Sequence, residues 1–119
     1  MPHSGEALGL LVRRPLGGTV TQATDKSTAV TLNKPSGEIT MDGAALAAAT
    51  IVSFTINSSV IEAGDLLALN HVSAGTRGAY GLNAECAAGS ATIFVRNNTA
   101  GSLSEAIVIR FALIKGATS

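Results

Sequence analysis

Apolar and polar residues alternate with a period of two through most of this chain, and the pattern is clearest from Thr50 to Asn57. There Ile51, Ser53, Thr55 and Asn57 fall on one side and Val52, Phe54 and Ile56 on the other, which predicts a strand with one face in a core and one face open. Upstream, Gly18 to Met41 carries three shorter runs, Thr19-Val20-Thr21, Ala29-Val30-Thr31-Leu32 and Glu38-Ile39-Thr40-Met41. Asp25-Lys26, Asn33-Lys34-Pro35 and Ser36-Gly37 punctuate them as turns. Downstream, Leu66 to Val72 reads as a strand, and Ala79 to Ala87 as another with Tyr80, Leu82, Ala84 and Cys86 on one face. After an Ala88-Gly89 turn, Ser90 to Asn97 sets Ile93 and Val95 against Thr92, Phe94 and Arg96. Elements at this spacing predict an all-β fold, an antiparallel β-sandwich of about eight short strands, jelly-roll-like in its connections.

Two stretches depart from the alternation. Glu105 to Lys115 is nearly continuous apolar, with Ala106, Ile107, Val108, Ile109, Phe111, Ala112, Leu113 and Ile114 interrupted by Arg110. A sandwich strand has one face in the core, so the face carrying Val108 and Arg110 needs a second cover, either an arm or a neighbouring subunit. Arg110 is expected to pair with a carboxylate or a carbonyl across that contact, or else to stand as a solvated charge. Ala44 to Ala49 is an alanine cluster, for which one short turn of helix is expected, since Ala is the best helix former while about six residues sustain no isolated helix.

The first seventeen residues are different again. Pro2, Gly5, Gly9, Pro15 and Gly17 interrupt any regular element, yet Leu8, Leu10, Leu11, Val12 and Leu16 are too apolar for a free tail. Residues 1–17 therefore read as an extended docking arm and 18–119 as the sandwich domain; the alternative is a terminus packed loosely on its own domain. Arg13 and Arg14 in the arm are placed to meet acidic residues on the surface it follows.

Composition sharpens this. The 119 residues are enough for one domain with a core. Hydrophobic residues are 46% of the chain but aromatics only 3%, with no Trp, so the core must be built from Val, Ile, Leu and Ala. Full burial of a Val, Leu or Ile gives roughly 1.5–3 kcal/mol and Ala much less, so the margin over chain entropy is modest and burial between subunits would add to it. Charged residues are 13% and the formal net charge is zero. Copies of such a chain repel one another weakly, and a homo-oligomer is expected, a trimer slightly ahead of a dimer. The neutral balance argues against nucleic acid as a partner, Arg13-Arg14 being too small a basic footprint. No run approaches the ~18 apolar residues of a membrane span, so no membrane partner is expected. The N-terminal stretch lacks the ordered parts of a secretion signal, which predicts synthesis in a cytoplasm.

Candidate chemistry is sparse. Cys86 is the single cysteine; it can form neither an internal disulfide nor a cysteine-based zinc site and reads as a small buried hydrophobe. His71, Asp65 and Ser73 are the residue types of a hydrolytic triad without a nucleophile elbow, and His3 with His71 lacks a metal-ligand spacing. Asp25, Glu38, Asp42, Glu62, Asp65, Glu85 and Glu105 sit in or beside turns at no spacing that marks a glycosidase or a calcium loop, and read as surface solvation. Asn57-Ser58-Ser59 and Asn97-Asn98-Thr99 match the glycosylation tripeptide but read as turns. Neither an enzyme nor a cofactor is expected. Ser73 to Gly78 is the candidate mobile exposed loop, with Thr76, Arg77 and Tyr80 as possible receptor contacts. Tyr80 with Asn70, Arg77 and Asn83 has the residue types of a shallow sugar site.

Gly18 to Met41, together with ALAAATIVSFTINSSVI (Ala45 to Ile61), DLLALNHVSAGTRGAYGLNA (Asp65 to Ala84) and GSLSEAIVIRFALIKG (Gly101 to Gly116), resembles small virion proteins of tailed bacteriophages. The resemblance covers nearly the whole chain, implies a virion structural part and transfers no active-site motif. Joined to the arm and the two-sided last strand, it points to a capsid decoration, or cement, protein on the outer surface of the head. Its partners would be the major capsid protein and its own copies, and Leu8, Leu10, Leu11, Val12, Arg13, Arg14, Leu16, Val108 and Arg110 the expected contacts. The alternative is a head- or tail-fibre module that touches a host receptor.

Overall fold

The computed structural model describes residues 17–116, and among them the chain forms eight strands and no helix. These are β1 (Gly18–Thr21), β2 (Val30–Thr31), β3 (Ser36–Thr40), β4 (Ile51–Asn57), β5 (Leu66–Ser73), β6 (Tyr80–Ala87), β7 (Ser90–Asn97) and β8 (Val108–Ile114). They build two four-stranded sheets, β1-β3-β8-β5 and β2-β4-β7-β6. The apolar faces of the sheets meet: Ile39, Leu67, Ile109 and Phe111 of the first and Val30, Phe54, Ile56, Ala91, Ile93 and Val95 of the second are buried in one cluster. This is the all-β sandwich that the alternation predicts.

The connections are those of a jelly roll. β3 pairs with β8 and β4 with β7, both antiparallel. The chain changes sheet between β3 and β4 and again between β7 and β8, so the two pairs form one antiparallel ribbon folded over the core. β5 adds to the free side of β8, and β6 to that of β7.

The wholly antiparallel expectation is corrected at one edge. β1 runs parallel to β3, and β2 parallel to β4. The chain switches sheet after each of β1, β2 and β3, so the β1–β2 stretch repeats the path of β3–β4 beside it. Gly18 and Gly37 face one another in this register. A Cβ on Gly37 would lie 2.6 Å from the Gly18 carbonyl oxygen, so the close approach of β1 to β3 depends on that glycine.

The helical turn expected in the alanine cluster is also absent. Leu46 instead forms an isolated bridge with Leu103, with reciprocal N–H to O=C bonds of 2.8 and 3.0 Å, and its side chain is buried. Burying one leucine outweighs a helix too short to recover its nucleation cost. The last strand starts at Val108, later than the apolar run suggests. Just before it, the Ile107 carbonyl accepts the Met41 N–H, and the Glu105 carbonyl is taken by Lys26.

Lys26, read as a turn residue, is buried. Its ammonium donates to the Asp42 carbonyl and, at 2.6 Å, to that of Glu105, and burial pushes its pKa down. Gln22 completes this knot, donating to the Lys26 and Thr28 carbonyls and accepting the Asp42 N–H. Asn97 does similar work at the end of β7: it donates to the Leu46 and Gly101 carbonyls and accepts from the Thr99 N–H and hydroxyl.

The two sides of β8 can be separated by truncation. Phe111→Ala should cost about 3–5 kcal/mol in urea unfolding, as for large-to-small changes in cores. Ile114→Ala, at a side chain 50% exposed in the single chain, should cost no more than about 0.5 kcal/mol at dilutions where the protein is monomeric. A comparable loss at both positions would mean that the outer face of this sheet is covered in solution.

Candidate functional site

Two surfaces carry the residues singled out in the sequence, and the structure adds a third. The first is the outer face of the β1-β3-β8-β5 sheet. Register places Leu66 beside Ile114, Ala68 beside Ala112 and Ser36, and Asn70 beside Arg110 and Glu38. Leu66 is 60% and Ile114 50% exposed, and between them and the charges lie the small side chains of Ala68, Ala112 and Ser36. Val108 sits one row further along, half-buried beside Thr40. Arg110 donates from Nη2 and Nε to Glu38 Oε2 at 2.5 and 3.0 Å. The carboxylate expected across a contact thus comes from the next strand of the same chain, as an exposed pair worth at most about 1 kcal/mol. Gly17, where the described chain begins, borders a groove on this sheet with Thr19, Glu38, Arg110 and Ala112. Leu8, Leu10, Leu11, Val12, Arg13, Arg14 and Leu16 lie outside the described residues.

The second surface is the Ser73 to Gly78 loop. It is exposed as expected, but it is tethered by Glu105. That carboxylate accepts the Thr76 N–H at 2.9 Å, the Thr76 hydroxyl at 2.7 Å and the Tyr80 hydroxyl at 2.7 Å. These bonds hold the Glu105 carboxyl below the usual range, the Thr76 hydroxyl contributing most, while burial and the adjacent carboxylate push the Tyr80 phenol up. Arg77 donates to the Val72 carbonyl at 3.3 Å, and His71 donates from Nε2 to the Ser73 and Ala74 carbonyls. Of the three possible receptor contacts, Thr76 and Arg77 are exposed; Tyr80 packs against the core cluster with its hydroxyl engaged.

The remaining candidates are not brought together. Asn70 and Asn83 lie on the outer faces of opposite sheets, and Tyr80 faces inward, so with Arg77 they form no common sugar site. Asp65 precedes β5 and His71 is near its end, about 20 Å away at about 3.3 Å per residue. Asp65 instead accepts Lys115 Nζ at 2.7 Å and the N–H groups of Gly116 and Glu62, which bring its pKa down to about 2. Cys86 is half-buried on the inner side of β6, and burial pushes its thiol up.

The third surface, the outer face of the β2-β4-β7-β6 sheet, went unnoticed in the sequence as a site. It carries Phe94 and Arg96 above Gly81, a grouping made by three strands that no local spacing announces. The structural roles of Lys26 and Glu105 were missed for the same reason, since each reads as a solvated charge beside a turn. Comparison of the chain with family models, with curated proteins and with solved structures finds no match.

The lowered carboxylates of Asp65 and Glu105 set an acid limit. As pH falls, the unfolded chain takes up its protons first, so this stabilisation is complete above the ordinary carboxylate range and is lost below it. For Asp65 the window runs from 3.8 down to about 2. Asp65→Asn should therefore lower stability at neutral pH and flatten the decline across that window, read from melting temperature against pH. Glu105→Gln should speed amide exchange at Thr76 while leaving exchange in β7 unchanged.

Proposed function

We propose that this protein is a structural component of a tailed-phage virion, a decoration protein on the outer surface of the head that bridges neighbouring capsomers. The observation that carries this reading is the outer face of the β1-β3-β8-β5 sheet: exposed Leu66 and Ile114, a floor of Ala68 and Ala112, and an ion pair at its centre. Large exposed aliphatics on a small-residue floor suit contact with another protein surface. The first sixteen residues, rich in Leu, join the domain at the β1 edge of this same sheet. An arm from that edge can follow a neighbouring subunit or the shell, with Arg13 and Arg14 meeting acidic groups there. The resemblance to phage virion proteins supports the same assignment. A subunit that binds only the assembled shell stabilises it by its binding free energy, and contacts repeated over a lattice add through avidity.

A second reading, a fibre module that touches a host receptor, is favoured by the exposed and tethered Thr76-Arg77 tip. Copy number separates the two. A decoration protein is expected in hundreds of copies on tailless heads, and a fibre module in tens at the tail or one vertex, counted by quantitative mass spectrometry of purified virions.

Self-association and arm docking are tested by substitution and truncation. Val108→Asp should dissociate the oligomer while Ala88→Asp, in the exposed turn between β6 and β7, leaves it intact, measured by sedimentation; Ser73 pairs with Val108 in the register of β5 on β8 and offers no such control. A monomeric wild type on and off the virion would count against oligomerisation. Deleting residues 1–17 should leave a folded β-domain that no longer occupies heads, and equal occupancy by truncated and full-length protein in one reconstitution would remove this role from the arm.

A further inference from the structure

The outer face of the second sheet is built differently from that of the first. The registers of β4 and β6 on β7 place Ile51, Arg96 and Gly81 in one row and Ser53, Phe94 and Asn83 in the next. Their alternates Phe54, Leu82, Ile93 and Val95 pack in the core, so these six side-chain positions face outward. Gly81 leaves a hollow in this grid. A Cβ there would meet Asn98 Nδ2 at 3.2 Å and Arg96 Cβ at 3.9 Å. The resulting groove, ≈ 500 Å³, is bordered by Ile51, Asn83, Phe94, Arg96 and Asn98, within the size range of small-ligand sites, about 300–1,000 Å³.

The polar groups at its rim keep most of their hydrogen-bond donors free among the described residues. Among the described residues the ion pairs belong to Arg110 and Lys115, so the Arg96 guanidinium is unpaired. Asn83 spends only its carbonyl oxygen, on the Ala84 N–H, and leaves its amide protons free. A half-buried aromatic ring beside two amides and a guanidinium suits a ligand with one apolar face and a hydroxylated edge. We propose that this groove binds a neutral saccharide, a hexopyranose whose C–H face lies on Phe94 and whose hydroxyls bond to Arg96, Asn83 and Asn98. An anionic ligand fits less well, because Arg96 is the one cation of the groove and Glu85 stands on the same face a row beyond Asn83. A protein partner also fits less well: beyond Ile51 and Phe94 the rows continue as Thr55, Thr92 and Glu85, then Asn57, Ser90 and Ala87, mostly too polar for the core of a protein interface. This site lies on the opposite sheet from the face assigned to subunit contact, so the two assignments stand or fall separately.

The test is an amide-resolved NMR titration of the full chain with the methyl glycosides of glucose, galactose, mannose and glucuronic acid, and with inorganic phosphate. At least one neutral glycoside should produce saturable shifts at Gly81, Phe94, Arg96 and Asn98 at millimolar concentration. Phe94→Ala should weaken that binding about tenfold or more, and Gly81→Val, which fills the hollow, should abolish it. Both variants should keep the melting transition and the core methyl spectrum of the wild type; if one does not, Arg96→Gln with an intact fold decides in its place. The proposal is overturned if no neutral glycoside shifts these amides, if Phe94→Ala leaves the affinity unchanged, or if phosphate or the glucuronide binds more tightly. Shifts at the same amides that follow protein dilution would overturn it as well, assigning the face to a second copy.

Discussion

The sandwich depends on closing a thin core at its ends. With no Trp and three Phe in the chain, of which only Phe54 and Phe111 point inward, the sheets are held apart mainly by Ile, Val and Leu. Side chains of that size fill the middle of a sandwich but do not plug its open ends. The ends are closed by buried polar groups, Gln22, Lys26, Ser58 and Asn97, and no buried side-chain donor or acceptor among the described residues lacks a partner. Each such group is worth keeping only while its bonds are complete, since an orphaned one costs about 1–3 kcal/mol. Asn97 meets this by making four bonds from one amide, and Lys26 by reaching two carbonyls on separate connections.

Glu105 shows how such a knot extends to the surface. Its carbonyl satisfies Lys26 inside, and its carboxylate holds Thr76 and Tyr80 outside. The tip of the Ser73 to Gly78 loop is therefore tied to the same residue that anchors the buried lysine. An exposed loop that keeps its shape loses less entropy when it meets a partner than one that must first be ordered. The tether is in this sense part of whatever the loop contacts do.

What was legible in the sequence is what a period of two can encode. Val52, Phe54 and Ile56 inward, Ile93 and Val95 against Phe94 and Arg96, and Arg110 opposite Phe111 all follow from alternation alone. Lateral neighbours do not, because alternation says which way a side chain points and nothing about the strand beside it. The parallel β1·β3 and β2·β4 pairs, the Glu38 partner of Arg110 and the hollow over Gly81 all depend on such neighbours. The alanine cluster failed for a related reason. Helix propensity is a local quantity, and the bridge from Leu46 to Leu103 that defeats it spans most of the second half of the chain.

The two outer faces divide the surface by chemistry. On the first sheet the chain exposes aliphatics over alanines, a face that gains by excluding water against another protein. On the second it places a phenylalanine and the exposed Ile51 among amides, hydroxyls and one guanidinium that has no ion-pair partner among the described residues. Phe94 is the telling residue. A core this poor in aromatics would gain from a third Phe, yet one is kept outward, where register with Ser53 and Asn83 gives it polar neighbours on both sides. A ring held there adds little to the core, which makes recognition at the surface the more economical account of its position.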